Sequence, residues 1–378
     1  MSTATSKSPL TDWTVIVPVV ALIALVFSWG RELPGFAVGL VALCLAGAVL
    51  AAVHHAEVVA HRVGEPFGSL VLAVAVTVIE VALIVTLMAD GGDKTASLAR
   101  DTVFAAVMIT CNGIVGLSLL VGALRNRVAV FNAEGSGAAL ATVATLAVLS
   151  LVLPTFTTSK PGPEFSTAQL TFAAVASLAL YGLFIAVQTV RHRDYFLPVA
   201  TGAGSSGGTG AEGAGGGGDG GHAEPPTVRA TLISLGLLLV ALVAVVGDAK
   251  SVSPAIEAGV AKAGLPNAVV GVIIALLVLA PETLAAVNAA RRDRVQTSLN
   301  LGYGSAIASI GLTIPAIALA SIWLSGPLLL GLGPIHMVLL ALTVVVSALT
   351  IAPGRATLLQ GGVHLVILAA YLFLAVSP

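Results

Sequence analysis

The sequence predicts an all-α, polytopic membrane protein of about eleven spanning helices, one N-terminal helix followed by two five-helix units of inverted topology. Three observations predict it. The residues are 57% hydrophobic and 9% charged, against about 25% charged in a soluble domain, and the mean hydropathy is +1.04. Apolar blocks of roughly 17–25 residues, the length a bilayer requires, recur from end to end. A single long polar break falls near the middle, with six apolar segments before it and five after. The net charge of −1 gives no nucleic-acid footprint. Cys44 and Cys111 sit inside apolar segments and read as free thiols, not as a disulfide framework.

The segments follow in order. Residues 14–29 come after a weak basic start at Lys7 and lack a small-x-small cleavage site, so they read as a first span and not a removed signal. Residues 35–53 close on HHAEVVAH, and 67–89 open on GEPFG and carry Glu80. Residues 101–124 contain TCNG, and 137–155 and 167–190 are plain apolar runs. Residues 191–229 form the polar break, and 12 of the 21 residues from 201 to 221 are glycine, a flexible-linker composition. It lacks the preceding strand and the Lys-Ser/Thr ending of a phosphate-binding loop. Segments 230–247, 266–289, 298–322, 328–350 and 357–376 complete the set. Setting the first aside leaves units at 34–190 and 230–378, and an odd number of spans makes them start on opposite faces. With the N-terminus in the cytoplasm, eleven Lys and Arg residues fall inside and six outside. The positive-inside rule therefore predicts a multi-pass protein with its N-terminus cytoplasmic and its C-terminus extracytoplasmic.

Each unit places one carboxylate deep in its second span. One segment reads GEPFGSLVLAVAVTVIEVALIV and holds Glu80, and the other reads GLPNAVVGVIIALLVLAPETLAAVNAA and holds Glu282. Pro66 precedes Glu80 by 14 residues and Pro266 precedes Glu282 by 16. No Lys or Arg lies within another helix core to pair with them, and two bare carboxylates in such a place repel and are costly to desolvate. A packing role alone would need such a partner. A cation neutralises both carboxylates, and protons do so when the cation leaves. Pro281 frees the carbonyl of Leu277, a backbone ligand of the sort ions use.

Candidate secondary ligands are Asn112 in TCNG, Ser305 and Ser309 in the ninth segment, and Asn288. Thr110, Asn300 and Thr313 are further oxygen donors, although hydroxyls and small residues on one stripe also serve helix packing. Asn288 lies six residues after Glu282, off its helical face at ideal pitch. This oxygen inventory suits a hard cation better than zinc or copper. His54, Glu57 and His61 share one helix side but lack the HExxH order, and read as a polar helix face or a cytoplasmic entrance, with a metal site as the weaker alternative. His336 and His364 read as hydrogen-bonded helix residues. No nucleophile–base pair stands at helix depth, so the chain is not read as an enzyme, and no cofactor is called for.

The stretches AEVVAHRVGEPFGSLVLAVAVTVIEVALIV, TCNGIVGLSLLVG and PETLAAVNAARRDRVQTSLNLGYGSAIASIGLTIPA resemble the repeat motifs of the calcium/cation–proton antiporter family, within the cation/calcium exchanger superfamily. The resemblance covers about Val53 to the C-terminus without the glycine-rich stretch, and points to the bacterial sodium/calcium–proton antiporter branch, which implies the bacterial inner (plasma) membrane as its location. It implies that Glu80 and Glu282 coordinate the cation in competition with protons. It also implies that Asn112, Ser305 and Ser309 stand at the family's small polar positions, and Glu57 and Glu65 at acidic positions before the first signature helix. Here VTVIE and LAPE replace a glycine-asparagine-alanine pattern, and Thr283 replaces a frequent histidine. The implied function is exchange of cytoplasmic Ca2+, Na+ or K+ for protons across the bilayer. The alternatives are Na+(K+)/proton exchange with little or no calcium, and, more remotely, a passive cation channel.

Overall fold

The computed structural model describes residues 12–31, 33–64, 67–91, 95–199, 226–324 and 326–377. Among these residues the principal helices run in order: α1 (Trp13–Ser28), α2 (Gly35–Val63), α3 (Phe67–Gly91), α4 (Leu98–Asn126), α5 (Ala133–Phe156), α6 (Thr167–Arg191), α7 (Val228–Lys262), α8 (Ala268–Arg291), α9 (Val295–Ala320), α10 (Pro334–Ile351) and α11 (Leu358–Val376). Among the described residues nine of these are long and apolar enough to cross a membrane, and α1 and residues 73–89 of α3 are shorter apolar helices. The glycine-rich stretch 201–221 and Glu65 lie outside the described residues.

Three boundaries differ instructively from the apolar segments. The second span was expected to end at residue 53 and the seventh at 247, but α2 continues to Val63 and α7 to Lys262. The extra turns are polar (His54, Glu57 and His61 in α2; Asp248, Lys250 and Glu257 in α7) and they stay helical because hydropathy marks contact with lipid, not the end of the hydrogen-bond ladder. A glycine at positive φ follows both helices, Gly64 at 76° and Gly264 at 70°, a backbone geometry that only glycine adopts without strain. The tenth span was expected from residue 328, but α10 starts at Pro334, which occupies the first helical turn. The six residues before it are held as extended chain by bonds from Leu329 N to Ala96 O and Gly331 N to Pro163 O.

Loop contacts show which helix ends share a face. The short strands β1 (Ala129–Val130, after α4) and β2 (Arg355–Ala356, after α10) pair antiparallel. Arg125, at the end of α4, donates to the carbonyl of Arg291 at the end of α8 at 2.6 Å. On the opposite face Glu164, between α5 and α6, bridges to Leu329, between α9 and α10. Loops that alternate crossing assigns to one side thus meet on that side. The segment Arg193–Phe196 after α6 shares the face of β1, since Asn300 of α9 donates to Phe196 O at 2.6 Å. We call this the linker face.

The interior divides into two hydrophobic cores. One gathers α1, α2 and α7 with Ile79 and Leu83 of α3 and Ile274 and Val278 of α8. The other gathers α4, α5, α6, α9, α10 and α11 with Ile84 of α3 and Ala275 and Leu279 of α8. The helices α3 and α8 therefore run along the seam, each packing one stripe against either core. Glycines allow the closest approaches: a Cβ at Gly271 of α8 would meet Thr102 N of α4 at 3.0 Å, and one at Gly361 of α11 would meet Leu120 N of α4 at 2.7 Å.

Candidate cation site

Glu80 of α3 is 2% exposed and accepts a hydrogen bond from the Ser309 hydroxyl of α9 at 3.0 Å, through Oε2. Its Oε1 is buried without a partner. Thr313, one turn on from Ser309, lies within reach of the same carboxylate, but its buried Oγ1 makes no hydrogen bond of good geometry. From α8, Glu282 lies close enough to Glu80 for their charges to repel, and its Oε2 is likewise buried and unpartnered. The ion pairs Arg100–Asp101 and Lys160–Glu164 involve neither glutamate, and among the described residues no basic side chain neutralises Glu80 or Glu282. Two carboxylates from the two units, a hydroxyl bound to one and a second hydroxyl nearby form a set of hard oxygen donors at the seam between the cores.

The site opens one way. A cavity of about 340 Å³ is lined by Glu282, Ser305 and Ser309 at its inner end and extends past Tyr181 and Thr77 to Gln188, Thr297 and Asn300 near the linker face. A second cavity, about 310 Å³, enters from the opposite face between α3, α4, α7 and α8. It reaches Leu87 and Val270 and holds Asp101 and Glu257, but neither Glu80 nor Glu282 lines it. Glu282 therefore communicates with the linker face, while Glu80 lines neither cavity and meets the first through Ser309, which binds it and lines that cavity.

Of the secondary candidates, Ser309 binds Glu80 and Ser305 shares the cavity with Glu282. Two others require correction. Asn112 sits on a π-helical turn, Ile109–Ile114, and its amide turns to the opposite core: Nδ2 donates to Thr343 at 2.9 Å and Oδ1 lies 3.1 Å from His364 Nδ1. With both ends of the amide occupied, it is a packing group of α4, α10 and α11 and not a ligand in this conformation. Asn288 is exposed near the end of α8, as the helical pitch requires, because α8 runs unbroken through Pro281. Thr110 is back-bonded to Ala106 O at 2.7 Å. Glu57 is exposed yet near enough for its charge to act on Glu282, and His61 is exposed at the end of α2. Among the described residues no group of three His, Cys, Asp or Glu side chains is placed to hold a metal ion, which removes the alternative reading of His54, Glu57 and His61 as a metal site. His364 is hydrogen-bonded and buried, His336 packs against Phe104, and both cysteines are free thiols.

Sequence reasoning passed over Thr77, Tyr181 and Gln188. The signal for the last two was the i, i+7 spacing that places them on one face of α6, but a lone Tyr and Gln in an apolar run carry no motif.

Comparison with known proteins agrees with this architecture. The family described as sodium/calcium exchanger protein matches residues 32–190 and 233–377. The protein y4hA of Sinorhizobium fredii is 44% identical over 97% of this chain and 96% of its own. The sodium-potassium/proton antiporter ChaA of Escherichia coli is 34% identical over 96% of this chain and 95% of its own. Among solved structures, the H+/Ca2+ exchanger CAX superposes with a TM-score of 0.64 at 15% identity, covering 96% of this chain and 91% of that one, which shows a shared fold. The chain is a multi-pass membrane transporter of the sodium/calcium exchanger family, and not an enzyme.

Proposed function

We propose that this protein exchanges a cytoplasmic cation, Ca2+ or Na+, for protons by alternating access at Glu80 and Glu282, with the linker face cytoplasmic. The observation that carries the reading is the approach of the two glutamates, one from each half of the chain, at the inner end of a cavity lined by Glu282 and by the Ser309 that binds Glu80, with no basic partner for either. Leaving both ionised and empty in a low-dielectric seam costs several kcal/mol per charge. A bound cation removes that penalty, and so do protons. The core therefore crosses between its two openings only when loaded with one or the other, which makes the exchange obligatory. The placement of α3 and α8 between two separate cores supports a transition in which one core shifts against the other while the site stays near the seam.

A second reading, Na+ or K+ exchange with little calcium, has its own support. Calcium takes about 6–8 oxygens, and with Asn112 committed to Thr343 and His364 the side chains in place supply fewer. The E. coli relative with 34% identity is named for sodium, potassium and protons. Reconstitution into vesicles with an imposed pH gradient, adding Ca2+, Na+ and K+ one at a time, tests both readings. Proton flux released by Ca2+ supports the first, and flux released only by Na+ or K+ supports the second. Cation leak without proton movement contradicts both and indicates a channel.

A further inference from the structure

Besides the site glutamates and Asp101, which pairs with Arg100, the described residues bury one more carboxylate, on a helix that lines no part of the cation cavity. Asp248 of α7 has no exposed surface, and neither oxygen finds a hydrogen-bond partner. It stands where α7 meets α1 and α2. Its neighbour Gly247 admits Leu25 of α1 so closely that a Cβ there would lie 2.3 Å from Leu25 Cδ1. Ser251, one turn along α7, accepts a hydrogen bond from Ser28 of α1 at 3.1 Å.

The helices packed against α7 are α1, α2, α3 and α8. Among the described residues of these helices only α2 brings a titratable group into electrostatic reach, the thiol of Cys44. On α7 itself Lys250 lies over the Trp29 ring, 6.0 Å from its centroid, at the end of the seam. A bare charge here has nothing to balance it, so in this packing Asp248 is the neutral acid.

Packing does not require an acid at this point. An offset of 200 residues brings Glu57 onto Glu257, Gly64 onto Gly264 and Pro66 onto Pro266. The same offset places Ala48, which is fully buried, opposite Asp248. The first unit fills the position with a methyl group. The second fills it with a group whose polar atoms go unmet, which is costly unless the group does what alanine cannot, namely take up and release a proton.

We propose that Asp248 is a proton-binding site separate from the cation site, occupied while α1, α2 and α7 pack as they do here and emptied when α1 parts from α7. The acid O–H then loses its proton to water and leaves a carboxylate that disfavours closing the seam again. In this proposal the proton leaves past the Ser28–Ser251 hydroxyl pair, one turn along α7, toward a cavity of about 370 Å³ that Trp29, Gly247 and Lys250 line. Protonation here is independent of the proposed exchange reaction; only its effect on transport rests on that reading.

Infrared difference spectra of the reconstituted protein between low and high pH test it through the carbonyl band of a protonated carboxylic acid. A band that disappears at high pH is expected in the double variant Glu80→Gln, Glu282→Gln, which removes the acids of the cation site, and is lost when Asp248→Asn is added to that background. In vesicles Asp248→Asn is expected to keep cation-driven proton flux while its pH profile loses one titration step. Spectra that Asp248→Asn leaves unchanged in that background, or an unchanged pH profile, overturn the proposal. Failure of both Asp248→Asn and Asp248→Ala to fold also overturns it, because the acid would then be structural. If Glu80→Gln leaves exchange intact, the reading of the cation site falls, while the Asp248 band still decides this one.

Discussion

At the scale of the residue, the site depends on what can and cannot neutralise a buried carboxylate. Ser309 is the only hydrogen-bond donor that Glu80 has among the described residues. Its hydroxyl can rotate to present a lone pair to an ion or a proton to the carboxylate, so it serves both occupied states. Ser309→Ala should raise the cation concentration for half-maximal exchange by about tenfold, equivalent to ~1.4 kcal/mol, with the protein still folded; an unchanged value would place Ser309 in packing alone. Because cation and proton compete for the same oxygens, cation binding must release protons, and binding must strengthen as pH rises. Apparent affinity should increase by up to about tenfold per pH unit for each proton displaced. Equilibrium titrations with the transported ion at several pH values check the sign, and affinity that fell with pH would contradict the competition.

At the scale of the element, hydropathy located every long helix but misjudged where three of them end or begin. The spans containing Glu80 and Glu282 could be paired in advance, because a lone carboxylate in a long apolar run is a rare signal and it occurred twice. The reach of α2 and α7 was not legible, since their last turns are polar and a hydropathy reading cannot tell a polar helical turn from a loop. That misreading hid Asp248, which fell just beyond the expected end of the seventh span at residue 247. The direction of the Asn112 amide was also beyond reach of the sequence: it depends on a π-helical turn and on His364, 252 residues away. Close helix packing makes a further prediction. A side chain at Gly361 has no room beside Leu120 N and Gly116 O, whereas Gly362 has nothing within 4 Å of a built Cβ. Gly361→Val should lower stability by about 1–3 kcal/mol, read as a fall in melting temperature in detergent, while Gly362→Ala should leave it unchanged. Equal effects would mean that the α4–α11 contact is not as tight as described.

At the scale of the whole molecule, the loop contacts divide the chain ends of the helices between two faces, and the positive-inside rule predicts that the linker face is the cytoplasmic one. In a background of Cys44→Ser and Cys111→Ser, Lys160→Cys should react with an impermeant thiol reagent in intact cells, and Arg355→Cys only after permeabilisation. The reverse pattern would invert the orientation. Removing residues 201–221 while keeping Arg191, Arg193 and Arg229 should leave exchange largely intact, because that composition serves as a tether; lost activity in a well-expressed deletion would assign it a further role. The central claim joins all three scales: one pair of carboxylates, held at the seam of two cores, carries both the cation and the protons. Proton flux into vesicles on addition of Ca2+ or Na+, normalised to folded protein, tests it most directly in Glu80→Gln and Glu282→Gln, which keep side-chain size but cannot titrate. The account predicts that each variant folds and that each loses cation-dependent proton flux, and persistent exchange in both would contradict it.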